Sequence, residues 1–301
     1  SQSVDKRVPH TFITNHRDIV MDSAFLSISL LDNGFGNTME IAIGDNLLIR
    51  PWIKKLVRVD KAFIVQRSVS LRQMLASSAR LSRYMHYAIA TKHENIWIAQ
   101  REGRAKDSND RTQDSILKMM AMGGEGSIID RLKQLNLVPT ALSYEYDPCD
   151  YLKAQEFQQK RDIEGFKKSP KDDLVNMQTG IFGYKGRICF RVAGPLNDWL
   201  DTLPADMPKT ELFTAVASRI DKEIHRNYKL YAGNYVAADL LRATKEFAAH
   251  YTSEEKTRFE AYLESRLEKV TLPNPDTVFL RERLLTMYAN PVFNYMAARQ
   301  E

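Results

Sequence analysis

With 44% hydrophobic side chains among its 301 residues, the chain can fill a sizeable core, which excludes a disordered or low-complexity protein. A net charge of +5, with acids interspersed among the bases, suits anionic small molecules or an anionic membrane surface better than a nucleic-acid groove. Cys149 and Cys189 form no C-x-x-C spacing, which excludes a disulfide framework and a zinc site and fits a reducing cytosol.

No run approaches the roughly 18 to 20 apolar residues that span a bilayer, and no targeting pattern opens the chain. The first strand-like segment comes within about ten residues, so an upstream segment is expected to precede it. In chain order, short apolar or alternating runs predict strands at 10–15, 61–67, 93–100, 137–146 and 187–194. Helical patterns lie between them at 47–58, 70–90, 113–122 and 126–135. The alternation implies an α/β fold, a mixed and mostly parallel sheet flanked by helices, with ligands gathering beyond the strand ends. The charged stretch at 167–173 reads as a solvent loop. After Pro204 the pattern turns helical, at 209–227, 233–248, 253–270 and 276–288, with Thr252 or Ser253 as a cap. The expected division is an α/β core over 1–204 and a helical C-terminal region over 205–301.

Four stretches carry chemistry. "NHRDIVMD" sets His16 at a strand end with Asp18 and Asp22 close by. A carboxylate on Nδ1 would leave Nε2 to take a proton from a substrate hydroxyl, a base that needs no protein nucleophile. "AFIVQR" is a strand ending in Arg67. "WIAQREGRAKDSNDR" runs an apolar strand into Glu102 and Gly103, after which Arg104, Lys106 and Arg111, with Arg101 before them, crowd a loop suited to an anion. "LVPTALSYEY" is a buried strand led by Pro139. The remaining histidines, His10, His86, His93, His225 and His250, lack a second ligand at metal spacing and read as structural.

The order of these four blocks over residues 10 to 195 resembles the glycerolipid acyltransferase superfamily, which contains glycerol-3-phosphate and 1-acylglycerol-3-phosphate acyltransferases. The resemblance implies that His16 is the base and that a carboxylate orients it. The family spacing points to Met21, so one inserted residue makes Asp22 the first choice and Asp18 the second. It assigns Arg67 to the acceptor's phosphate or carboxylate. It places Glu102 and Gly103 in the third block, where Ala105 stands at the expected arginine and Arg104 or Lys106 must substitute. Pro139 and Tyr144 are carried over as pocket-forming.

The implied function is O-acyl transfer from acyl-coenzyme A or acyl carrier protein to glycerol-3-phosphate or a lysophospholipid, with no metal and no permanently bound cofactor. An N-acylated amino-acid lipid is the alternative acceptor, and a catalytically silent lipid- or carrier-binding protein is the alternative class. The basic, apolar run 46–58 is expected to meet an anionic headgroup layer or an acidic acyl carrier protein, making the protein peripheral at the inner face of the membrane. No nucleic-acid partner is expected.

Overall fold

The computed structural model describes residues 4–48, 51–66 and 71–300. Six strands form one sheet: β1 (Thr11–Thr14), β2 (Met39–Gly44), β3 (Ala62–Val65), β4 (Asn95–Ala99), β5 (Leu137–Tyr144) and β6 (Ile188–Val192). Their order is β3-β2-β4-β1-β5-β6. Every pair is parallel except β5 with β6, so the mostly parallel sheet expected from the sequence is present. β1 lies between β4 and β5, with Thr14 opposite Ala99 on one side and Thr140 on the other. The chain leaves all three strands at the same end of the sheet, where crevices form in such folds.

The two faces of the sheet are buried separately because successive strand side chains point opposite ways. Ile13, Ile96 and Ile98 pack into one cluster and Phe12, Trp97 and Val138 into another. The second cluster is closed by α1 (Met21–Asp32), through Leu26 and Leu30. On the first face lie α3 (Leu71–Ala90), α4 (Asp114–Met120) and α5 (Ile128–Gln134). α2 (Pro51–Val59) precedes β3.

Two helices fall where the sequence predicts none, α6 (Asp150–Asp162) and α7 (Pro170–Phe182). The expected loop at 167–173 is the approach to α7: Ser169 and Asp172 form a reciprocal capping box, and Pro170 takes the first helical position. β2 is likewise absent from the sequence reading. Beyond a short α8 (Asn197–Leu200) the chain is helical as expected, in α9 (Lys209–Arg226), α10 (Ala232–Arg242), α11 (Ser253–Leu267) and α12 (Thr277–Gln300). Thr252 caps α11 by accepting from the Glu255 N–H. α12 continues past the expected end at 288, through Pro291. α9 contributes Leu212, Val216 and Ile220 to the cluster that holds Ile13 and Ile98, whereas α10, α11 and α12 share a core of their own with Ala154 of α6.

Candidate active site

Where β1 ends, Asn15 stitches the chain to β5: its amide nitrogen donates to the Leu142 carbonyl at 2.9 Å and its oxygen accepts from the Leu142 N–H at 2.8 Å. This clamp fixes the exit of the next residue, His16. The His16 Nδ1 contacts Asp22 Oδ2 at 2.7 Å. The same oxygen accepts from the N–H groups of Arg17 (2.7 Å) and Asp18 (3.0 Å), and Oδ1 accepts from the Tyr144 hydroxyl at 2.8 Å. Asp22 is 1% exposed. With Nδ1 on the carboxylate, Nε2 is the ring atom left for a substrate. The imidazole stands edge-on to Trp97 at 5.6 Å between ring centroids, and the indole is itself held by Thr14 Oγ1 at 3.1 Å.

Asp18 does not reach the imidazole. Its Oδ1 accepts from the N–H groups of Val20 and Met21 and closes the turn into α1. Its Oδ2 is buried against Gly180 of α7, where a Cβ would come within 2.2 Å. Burial, and then the neighbouring Asp22, raise the Asp18 pKa. Arg17 is turned away as well, donating both arms of its guanidinium to Asp110 at 2.7 and 2.5 Å.

The basic loop after β4 divides its cations. Trp97 and Ala99 share one face of β4 by the strand period of two, and Arg101, just beyond the strand, joins them on the wall of the cavity that contains His16. Gly103 lines it too; its φ of +69° is open to glycine, and a Cβ there would meet nothing within 4 Å. Arg104, the first choice from the sequence, instead donates from Nη2 to Asn176 of α7 at 3.1 Å. Lys106 is paired with Glu156 of α6 at 2.6 Å, and burial lowers its pKa. Glu102 is exposed, with its N–H on Gln113 Oε1. Buried Arg101 Nε and Arg104 Nη1 have no hydrogen-bond partner among the described residues. Arg67 lies outside the described residues.

The cavity has a volume of about 390 Å³. Its walls are mainly apolar: Ile19 and Ala24 beside and within α1, Ile41 and Ile43 of β2, and Ile53 and Val57 of α2. An imidazole, a guanidinium and an open glycine turn therefore border an apolar surface. Two further cavities, of about 310 Å³ beside Phe190 and Arg191 and about 750 Å³ between α5 and the start of α9, have no histidine on their walls.

The other histidines make structural contacts. His10 packs on the Asp5 carbonyl and Asn136, His86 lies inside α3 between the carbonyls of Ser82 and Arg131, and His225 contacts the Asp110 carbonyl. Met177 is a cavity residue that the sequence reading does not name, and Arg101, named there among the loop cations, is not among those the resemblance assigns. The strand period through Trp97 and Ala99 is the signal that finds Arg101. Neither a protein-family model nor a curated protein matches the chain.

Proposed function

We propose that the protein is an O-acyltransferase that moves a fatty acyl group from a thioester of coenzyme A or acyl carrier protein to a hydroxyl of glycerol-3-phosphate or a lysophospholipid. The observation that carries this reading is His16 on the wall of an apolar cavity, with Asp22 behind it at 2.7 Å from Nδ1. His16 Nε2 takes the hydroxyl proton as the alcohol oxygen attacks the thioester carbonyl. The tetrahedral oxyanion then collapses, the C–S bond breaks, and the leaving sulfur receives the proton from the imidazolium. General-base help of this kind is worth about 10² to 10⁴ in rate, and holding the two substrates together removes much of the remaining entropic barrier.

Arg101, which lines the cavity and has an unpartnered Nε among the described residues, supports an anionic acceptor, since a buried donor without an acceptor is costly. An N-acyl amino-acid acceptor with a carboxylate is the second reading. It is favoured by Ala105, which is buried where the family pattern has arginine, and by Lys106, which is committed to Glu156. A silent binding protein would explain the extra residue between histidine and aspartate; the hydrogen bond that Asp22 makes despite it supports the enzyme instead.

Peripheral contact with the inner face of an anionic membrane is part of the same proposal. No helix among the described residues is long and apolar enough to cross a membrane. α2 turns Ile53 and Val57 to the cavity and leaves Lys54, Lys55 and Arg58 exposed, an arrangement that suits anionic headgroups.

The test is acyl transfer from matched acyl-coenzyme A and acyl carrier protein donors to glycerol-3-phosphate, its 1-acyl derivative and an N-acyl amino-acid lipid bearing a hydroxyl. Ester formation that disappears in His16→Ala is expected. Turnover unchanged by that substitution, or no transfer to any acceptor, overturns the proposal.

A further inference from the structure

The described donors to Asp22 include one that is far from it in sequence. Three of its hydrogen bonds come from His16, Arg17 and Asp18, all local to the turn that carries the histidine. The fourth comes from Tyr144, 122 residues away at the end of β5. The phenol is 8% exposed and anchored by a strand buried along its whole length, so its oxygen has little freedom to follow a moving carboxylate.

We infer that Tyr144 is a positioning residue for the base: its hydroxyl holds Asp22 Oδ1, so that Oδ2 stays aimed at His16 Nδ1. The inference rests on the acyl-transfer reading for its kinetic consequence and on geometry alone for its structural one. The turn from His16 to Asp22 carries one residue more than the family spacing, and an extra residue gives the carboxylate more ways to point. Three donors converge on Oδ2 from one side. Without a donor on Oδ1 the carboxylate plane could tilt about the Cβ–Cγ bond of Asp22 and lengthen its bond to Nδ1; with Tyr144 in place both oxygens are held and the plane is fixed. Burial raises the Tyr144 pKa, and the adjacent Asp22 and Asp18 raise it further, so the phenol stays a neutral donor wherever the protein is folded.

The experiment compares wild type, Tyr144→Phe and Ser143→Ala by steady-state kinetics and by ¹⁵N spectra of histidine-labelled protein. Ser143 is the control on the same strand: its Oγ accepts from the Lys229 N–H and takes no part in the Asp22 contacts. Tyr144→Phe is expected to lower kcat about 10- to 100-fold, with KM for both substrates within about twofold, as loss of a hydrogen bond to a charged group implies. In the spectra, the Nδ1–H tautomer of His16 should lose population and its Nδ1 proton should exchange faster with water. Ser143→Ala should change neither. In an Asp22→Asn background Tyr144→Phe should cost nothing further, because its effect passes through the carboxylate.

A fall in kcat with an unaltered His16 spectrum would show a structural role only and overturn the inference, as would a Tyr144→Phe enzyme with full kcat. If wild type transfers no acyl group but the His16 spectrum changes as stated, the positioning role stands and the acyl-transfer reading falls. Should Tyr144→Phe fail to fold, the unaltered protein still decides: a slowly exchanging Tyr144 hydroxyl proton is required, and rapid exchange overturns the inference.

Discussion

At the scale of single residues, Asp18 commits Oδ1 to the N–H groups of Val20 and Met21 and packs Oδ2 against the bare Cα of Gly180, while Asp22 gathers the imidazole and a phenol. The two carboxylates are chemically alike and four residues apart, so the structure predicts opposite outcomes for the same substitution. Asp22→Asn should lower kcat by about 10² to 10⁴, since an amide presents the wrong group to Nδ1 and disfavours the productive tautomer. Asp18→Asn keeps the capping oxygen and removes the charge that burial already disfavours, so it should retain activity within a few-fold. Initial rates for the two variants under saturating donor check this, and equal losses would contradict the geometry. His16 was legible in the sequence because a histidine at a strand end with nearby acids is a local pattern. The residues alone left Asp18 and Asp22 both open, because the choice depends on how the turn bends; only the resemblance ranked Asp22 first. Tyr144 was named through the resemblance as pocket-forming, but its bond to Asp22 was beyond reach, since only the parallel pairing of β1 with β5 brings the two together.

At the scale of elements, legibility follows how each segment satisfies its buried side. β1, β4 and β5 bury apolar side chains and read clearly. α6 buries Asp150, Lys153, Glu156 and Gln158, so its inward face carries no apolar stripe to find. That omission hides the fate of Lys106, whose partner Glu156 lies on α6. The resemblance placed a cation at this loop, and the strand period shows why Arg101 is the one on the cavity wall. α2 is a second case. Its apolar side chains Ile53 and Val57 face the cavity, whereas Lys54, Lys55 and Arg58 are exposed on the same short helix. Each basic residue near an anionic surface contributes about 1 kcal/mol, so changing all three to Gln should weaken binding to phosphatidylglycerol-rich vesicles about 10²-fold. Binding to zwitterionic vesicles should change little. Cosedimentation at low and high salt measures both, and an unchanged anionic-vesicle affinity would remove α2 from the membrane contact.

At the scale of the whole molecule, the loop after β4 is where the C-terminal helices meet the end of the sheet that carries His16. Asp110 receives Arg17 and the Tyr228 hydroxyl, and two residues of α9 separated by one turn grip the same loop. Asp221 accepts from the Thr112 N–H and hydroxyl at 2.7 and 2.6 Å, and His225 Nε2–H donates to the Asp110 carbonyl at 2.9 Å. Burial pushes the Asp221 carboxyl up to about 6, and burial lowers the His225 imidazole to about 4 against the pull of Asp110. The two shifts have opposite linkage. The raised carboxyl gives stability that is full below its ordinary value of 3.8 and lost as pH climbs through about 6. The lowered imidazole costs stability when the unfolded chain is protonated and the folded one is not, so that cost fades as pH rises from about 4 past 6.5. Each amounts to roughly 2 kcal/mol after allowing for the partial exposure of Asp221, and over this window they offset one another. Asp221→Asn retains the acceptor for Thr112 and leaves the histidine contribution uncovered, so relative to wild type it should gain about 2 kcal/mol between pH 4.5 and 7. His225→Gln keeps a donor for the Asp110 carbonyl and should lose a similar amount across the same interval. Urea midpoints at the two pH values measure both. Variants whose pH dependence parallels that of wild type would mean that α9 does not hold these two groups in opposite protonation against the loop beside the site.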